Sequence, residues 1–422
     1  MKISACRFGR GLLAASIAAL AAAPMPATAG GKDIEALRQT VEQLRKQLQE
    51  VQQQLKEQEQ KAASKEEVQQ VREEVAQAAE WKDPNTLIHM AGYADVGYTS
   101  TKGGDDSFNA ATFAPIFHFQ YRDLVMLEAE LEAGVQPDGE TEIGLEYLTV
   151  DFFVNDYLVL VGGKFLSPIG QFRQNLHPSW INKLPSAPPG FGHDGAAPTS
   201  DVGLQLRGGY PLGAVRTNYA VYVSNGPELN AVEEDGEIEL EGIAAEGFGA
   251  DRDGEKVFGG RLGVLPIPSL ELGLSGATGK ATVTSLDTDG PMPDLSNEQA
   301  RDYDVIGADF NWHWRDLILR GEFVRSKIGA ASTGATASGG GTWQTWYTQA
   351  SYQFKPTKWE AAIRYTDFDS PHASEDQKQW ALGANYLFAS NIVAKIAYEF
   401  NDGQADTDAD ADRLLLQMAY GF

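Results

Sequence analysis

From Leu87 to the last residue the chain repeats one unit, about ten residues that alternate apolar and polar and then a turn. Val125, Leu127, Ala129, Leu131, Ala133 and Val135 share one face of such a segment; Glu128, Glu130 and Glu132 share the other. A period of two predicts a β-strand with one oily and one polar side. Alternation alone does not separate a soluble sandwich from a barrel whose oily side meets lipid. The connections do. The pattern predicts sixteen strands, beginning near Leu87, Phe113, Leu124, Glu142, Tyr157, Val202, Val215, Val257, Leu270, Asp304, Leu317, Gln344, Trp359, Lys378, Ile392 and Arg413. Connections after even-numbered strands are short, such as Arg122-Asp123, Leu212-Gly213 and Arg315-Asp316; those after odd-numbered strands are mostly long and polar. That rhythm over an even count is expected of an all-β, transmembrane antiparallel barrel, and a sandwich gives no reason for it. Aromatic residues near strand ends, among them Phe119, Trp314, Trp346, Trp359 and Tyr398, fit rings that favour the headgroup level.

Leu414, Leu416, Met418, Tyr420 and Phe422 form one oily stripe, and the chain stops on the aromatic. This strand resembles the closing strand of bacterial outer-membrane barrels and the signal read by their insertion machinery. The other end carries Lys2, Arg7 and Arg10, an apolar run from Leu12 to Ala23, and Ala27-Thr28-Ala29 before Gly30. Those are the three parts of a secretory signal peptide, residues 1–29. The expected location is therefore the bacterial outer membrane.

Between signal and barrel the period changes. Ile34, Leu37, Val41, Leu44, Leu48, Val51, Leu55, Gln58 and Ala62 recur at alternating spacings of three and four, with Gln, Glu and Lys between them. That seam predicts a coiled coil about 40 Å long at ~1.5 Å per residue. Ser64-Lys65-Glu66-Glu67 has the form of a capping box, and Val68, Val71, Val75 and Ala78 start a second short seam before Asp83-Pro84-Asn85 ends the helical region. The expected domains are 1–29 signal peptide, 30–82 periplasmic coiled coil and 83–422 barrel.

The formal net charge of −25 argues against a nucleic-acid partner. Cys6 is the only cysteine and lies in the signal, which leaves no thiol chemistry. Six scattered histidines form no metal motif, and no nucleophile elbow or phosphate loop occurs. The expectation is no enzyme, no metal and no cofactor. Eleven carboxylates between Glu228 and Glu255, against Arg252 alone, and a second cluster from Asp402 to Asp412 read as solvated, mutually repelling loops.

The longest connection, Leu166 to Ser200, follows the fifth strand and is rich in Pro and aromatics. A structureless loop of that length is expected to be functional. Its place as the third long loop resembles that of the third external loop of sixteen-stranded porins, which implies that it folds into the lumen and narrows it. It carries Arg173 and Lys183, with His177 and His193; Lys164 lies on the strand entering it. Arg207, Arg216 and Arg261 lie opposite the oily stripes of the next strands, whereas Glu128, Glu130, Glu132, Glu142 and Glu146 line the earlier ones. Acid on one wall and arginine near the loop would set a transverse field that orients dipolar solutes. The plain alternative is that these charges pair with one another.

Val161-Gly162-Gly163-Lys164-Phe165-Leu166-Ser167-Pro168-Ile169-Gly170, with Gly203-Leu204-Gln205-Leu206-Arg207-Gly208, resembles the phosphate-selective porin O/P family. That resemblance implies an outer-membrane, trimeric channel for small anions such as phosphate or carboxylates. The family's arginine ladder and lysine cluster are reduced here to Lys164, Arg173, Lys183, Arg207, Arg216 and Arg261, beside several inward glutamates. The sequence reading is a passive pore for small hydrophilic solutes, anions favoured at those residues. It would be a homotrimer meeting lipid and lipopolysaccharide, with a stalk reaching toward the cell wall. A non-selective or sugar-type pore, or a structural tether through the stalk, are the alternatives.

Overall fold

The structure is a computed structural model that describes residues 41–53 and 85–422 apart from 105, 136–138, 193–194, 235, 245–250, 252–253, 289 and 406. The signal peptide, the capping box, the second seam, His193 and Arg252 lie outside the described residues. The chain divides into two units, Met1–Asp83 and Pro84–Phe422.

In the first unit, residues 41–53 form a helix. Val41, Leu44, Leu48 and Val51 lie on one stripe of it and are all exposed, which is the period the seam requires. Among the described residues no helix is long and apolar enough to cross a membrane.

The second unit is built of β1 (Thr86–Thr101), β2 (Asp106–Tyr121), β3 (Val125–Val135), β4 (Thr141–Asn155), β5 (Leu158–Leu166), β6 (Ser200–Leu212), β7 (Val215–Ser224), β8 (Glu228–Glu234) and β9 (Glu237–Ala244). It continues through β10 (Val257–Ile267), β11 (Leu270–Asp287), β12 (Arg301–Trp314), β13 (Leu317–Ile328), β14 (Gly341–Gln353), β15 (Trp359–Asp369), β16 (Gln377–Ala389), β17 (Ile392–Gly403) and β18 (Arg413–Gly421). Each barrel strand pairs antiparallel with its neighbours, β7 pairs directly with β10, and β1 pairs with both β2 and β18. Sixteen strands thus close a barrel, and β8 and β9 stand outside the ring as a hairpin. Closure leaves no unpaired edge, the condition for strands to sit in lipid.

The turn rhythm holds throughout. Arg122 to Leu124, Asp156-Tyr157, Gly213-Ala214, Pro268-Ser269, Arg315-Asp316, Phe354 to Lys358 and Ser390-Asn391 are the short turns, all at one end. Outward side chains are exposed and apolar, for example Leu204, Leu262, Leu274, Ile306 and Leu382. Two aromatic belts bound this oily surface. Tyr352–Phe354, Trp359–Tyr386 and Tyr386–Phe388 pack at the short-turn end with ring centroids 5.1, 5.0 and 4.9 Å apart. Trp346–Tyr365, Tyr365–Trp380 and Tyr398–Phe400 form the other belt at 5.3, 4.8 and 4.7 Å. Trp346 and Tyr352, on β14, are separated by roughly 20 Å along the strand at ~3.4 Å per residue, so the two belts stand apart at opposite ends of the oily surface.

Three features depart from the sequence reading. β2 starts at Asp106, seven residues before Phe113. A register shift between β3 and β4 pairs Glu130 with Tyr147 and Leu131 with Leu145, so Glu146 is an extra residue. This bulge turns Tyr147 inward although its parity matches the outward Ile143. Lastly, the acidic stretch from Glu228 is not a set of solvated tips. β8 and β9 bury Leu229, Ala231, Leu240 and Ile243 against Val283 and Leu286, and β8 lies parallel to the extended end of β11. The period-two apolar positions Leu229, Ala231 and Leu240 outweigh the repulsion of the outward carboxylates.

Candidate functional site

The long connection after β5 folds into the barrel. Phe172–Leu176 forms a π-helical turn within it. Its apolar residues Ile169, Phe172, Leu176 and Phe191 are buried with the inward-facing Tyr222, Tyr303 and Tyr347. Phe191 packs edge-on against Tyr347 at 5.1 Å. Pro and aromatics suit this site because the loop must pack as a core element, not as a solvated tip.

One wall holds the loop by its backbone. The Gly170 N–H donates to Ser275 Oγ at 3.2 Å and the Phe172 N–H to Glu322 Oε2 at 3.0 Å. Ser326 Oγ donates to the Ala196 carbonyl at 2.6 Å and Thr345 Oγ1 to the Pro189 carbonyl at 2.7 Å. Arg364 donates to Ser186 O and Ser186 Oγ, each at 2.9 Å, and to Ala187 O at 3.1 Å. Lys395 donates to Ser179 O, and Asn385 to Lys183 O at 2.9 Å. These side chains come from β11 to β17, and buried backbone carbonyls need such partners. Gly170 and Gly190 have φ of +72° and +78°, and a Cβ there would strike Glu322 or Thr345 and Phe368. Only glycine allows the loop to lie this close.

The structure scatters the six cations that the sequence points to. Lys164, buried on β5, donates to the Leu145 carbonyl at 2.6 Å. Arg173 is buried in the π-helical turn. Lys183 is ion-paired with Glu360 at 3.0 Å. Arg207 pairs with the fully buried Asp151. Arg261 meets Asp309 at 2.6 Å, Glu271 at 3.0 Å and Asn218 Oδ1 at 2.9 Å. Arg216 is exposed near the short-turn end, opposite Pro211 and Leu265. For Lys183, Arg207 and Arg261 the lumen charges do pair with one another.

The opposite wall, β1 to β6, faces the loop across a cavity of about 240 Å³. Glu128, Glu130, Tyr147, Thr149 and Gln205, with Gln174, Asn175 and His177 of the loop and Arg207 of β6, supply its polar lining. Tyr147 donates to Glu128 at 3.0 Å, and His118 Nε2 lies 3.4 Å from the same carboxylate. Tyr93 donates to Glu132 at 3.3 Å. His177 Nε2 reaches across from the loop to within 3.7 Å of Glu130 Oε1, too far for a hydrogen bond. Among the described residues no group of three or more His, Cys, Asp or Glu is placed to hold a metal.

Sequence reasoning missed Arg320, Arg364, Lys395 and Arg413, inward cations of β13, β15, β17 and β18 that are buried or bound to Glu399. Each lies opposite the oily stripe of its own strand, so the parity argument applied to Arg207 would have found them. It also missed Gln205 and Tyr147; the bulge at Glu146 hides the second.

A closed barrel with belts, one-sided short turns and an inward loop defines the class: this is a porin-type barrel. The model of the family described as phosphate-selective porin O and P matches residues 280–422, which bears out the family resemblance there; Val161–Gly170 and Gly203–Gly208, on which it was read in the sequence, lie outside the matched part. No curated protein matches the sequence. Among solved structures, a loop L8 deletion mutant of OmpT, an outer membrane protein of Vibrio cholerae, is 11% identical with a TM-score of 0.53, covering 80% of this chain and 100% of that one. The anion-selective porin from Comamonas acidovorans is 14% identical with a TM-score of 0.51, over 80% and 100%. The outer membrane channel DcaP of Acinetobacter baumannii is 10% identical with a TM-score of 0.50, over 81% and 99%. These likenesses concern the fold. Together with the family match they support an outer-membrane location.

Proposed function

We propose that the protein is a passive, water-filled channel of the outer membrane for small hydrophilic solutes. The short turns would face the periplasm and the long loops the outside, the arrangement usual for such barrels. One observation carries this reading: the inward loop is fastened along β11 to β17 and leaves a polar cavity against β2 to β6. A barrel of about sixteen strands is too wide for its own side chains to fill, so the loop sets the passage. The pairing of Lys183, Arg207 and Arg261 with carboxylates favours weak selectivity over an open arginine ladder.

Anion preference is the second reading. The exposed Arg216 and the family resemblance favour it. The proposed assembly is a homotrimer, in keeping with the same resemblance. The oily stripe of helix 41–53 would form a coiled coil there, and the stalk would reach the cell wall.

The test is the purified mature protein in a planar bilayer under a KCl gradient. A reversal potential near zero supports the weakly selective pore. A clearly anionic one supports the second reading and points to Arg216→Ala. Absence of conductance under all conditions overturns the channel.

A further inference from the structure

The histidines form no motif along the chain, yet the register of the barrel brings two of them together. His89 of β1 stands directly opposite His118 of β2, close to the short-turn end. Both face the lumen: the flanking Ile88, Met90 and Phe119 are the exposed outward positions, and His118 points at the inward Glu128. The two Nδ1 atoms face each other at 3.3 Å, with ring centroids 5.4 Å apart. His89 is exposed and the His118 side chain is 25% exposed, so the pair is open to ions in the lumen.

We propose that His89 and His118 bind a zinc ion through their Nδ1 atoms, with water completing the coordination. The separation carries the assignment. Zinc holds imidazole nitrogens at about 2.0–2.1 Å in a tetrahedron, which sets two of them roughly 3.3–3.4 Å apart. A direct N–H bond between the rings would lie nearer ~3.0 Å. Neighbouring positions around an octahedral or tetragonal ion, at the same bond length, would be about 2.8–3.0 Å apart. Calcium and magnesium take oxygen ligands, which a pair of imidazoles does not offer. The second nitrogen of His118 agrees with this. Its Nε2 lies 3.4 Å from Glu128 Oε1, which favours a proton on that nitrogen and turns the Nδ1 lone pair toward His89. Glu128 thus stands where a carboxylate stands behind a metal-bound histidine, and Tyr147 steadies it with a hydrogen bond of 3.0 Å. Zinc replaces the single proton that the two Nδ1 atoms otherwise share. Two protein ligands are fewer than the clusters of three that are absent among the described residues, and they make a site that loads and releases. Binding does not depend on the channel reading, but its consequence does. A dication beside Glu128 offsets the acid of a wall that also carries Glu130 and Glu132, and so turns passage toward anions.

Protein purified without a histidine tag is titrated in detergent with zinc, and with magnesium as the oxygen-preferring control. Cobalt(II) is the spectroscopic probe, because its visible bands intensify in a tetrahedral site. The expected result is one zinc per barrel, a tetrahedral cobalt spectrum that zinc abolishes, and no effect of magnesium. His89→Gln and His118→Gln should each weaken zinc binding by at least about tenfold, and Glu128→Gln severalfold. His313→Gln, on β12, should leave it unchanged. In planar bilayers micromolar zinc should move the reversal potential toward anions, and His118→Gln should remove that shift. Zinc binding that survives both histidine substitutions, or folded protein that binds none, overturns the site. Binding lost in both variants of a protein that conducts no current upholds the site and overturns the channel instead.

Discussion

The two walls of the lumen present different chemistry to the inward loop. On β11 to β17, Arg364, Lys395, Asn385, Ser326 and Thr345 spend their donors on the backbone of the inward loop. On β1 to β4, Glu128 and Glu132 instead accept hydrogen bonds from Tyr147 and Tyr93 of their own wall. Burial and charge alone do not mark a functional group. What separates the walls is where the partner comes from: the inward loop on one, a neighbouring strand on the other. The cations nearest the loop on the far wall are therefore clamps, and the loop leaves its cavity against the wall they do not touch.

The comparison breaks most severely if a clamp is removed. Arg364→Ala should destabilise the folded barrel by about 2–4 kcal/mol, because the Ser186 and Ala187 carbonyls lose their buried donor, while Glu399 keeps Arg413. Loss of heat-resistant mobility on gels at a lower temperature would show it; an unchanged transition would mean the clamp is dispensable. Gly170→Val comes next. Its φ of +72° and the contact with Glu322 make any side chain strained by about 1–3 kcal/mol, so the loop should lift and single-channel conductance rise. Conductance at the native level would place the constriction elsewhere.

On the other wall, Arg207→Ala should act on selectivity more than on stability. It strips Asp151 of its counter-charge and should shift the reversal potential toward cations. A shift toward anions would reverse the reading of that wall. The smallest effect lies outside both walls, at the rim. Asp412 is held below the ordinary carboxylate range by the Asn401 backbone N–H and then by Lys102. A depressed value gives stability that is present above the unfolded value and lost as pH falls through the folded one. Hydrogen exchange in 407–412 should therefore quicken only below about pH 4, near a carboxylate's ordinary value. Quickening near neutral pH would mean another group governs the rim.

Strand period and turn length determined the barrel on their own. Lipid outside and water inside impose a period of two on every strand, so Leu414, Leu416, Met418 and Tyr420 declare their face without any neighbour. Short turns at one end declare the direction of each strand by the same local logic. The inward course of the loop was legible from its Pro and aromatic content.

Which wall receives the loop was settled only in three dimensions. That choice depends on Ser186 meeting Arg364 and Ser179 meeting Lys395, pairs far apart in the chain. It decides which cations are clamps, and no spacing records it. The bulge at Glu146 likewise reverses the facing of Tyr147, because one extra residue shifts the parity of all that follow. The β8–β9 hairpin forms because Leu229 and Leu240 find Val283 and Leu286 on a strand more than forty residues away. Facing is a local property of a strand in lipid. Partnership between buried groups is not, because it joins residues far apart in the chain.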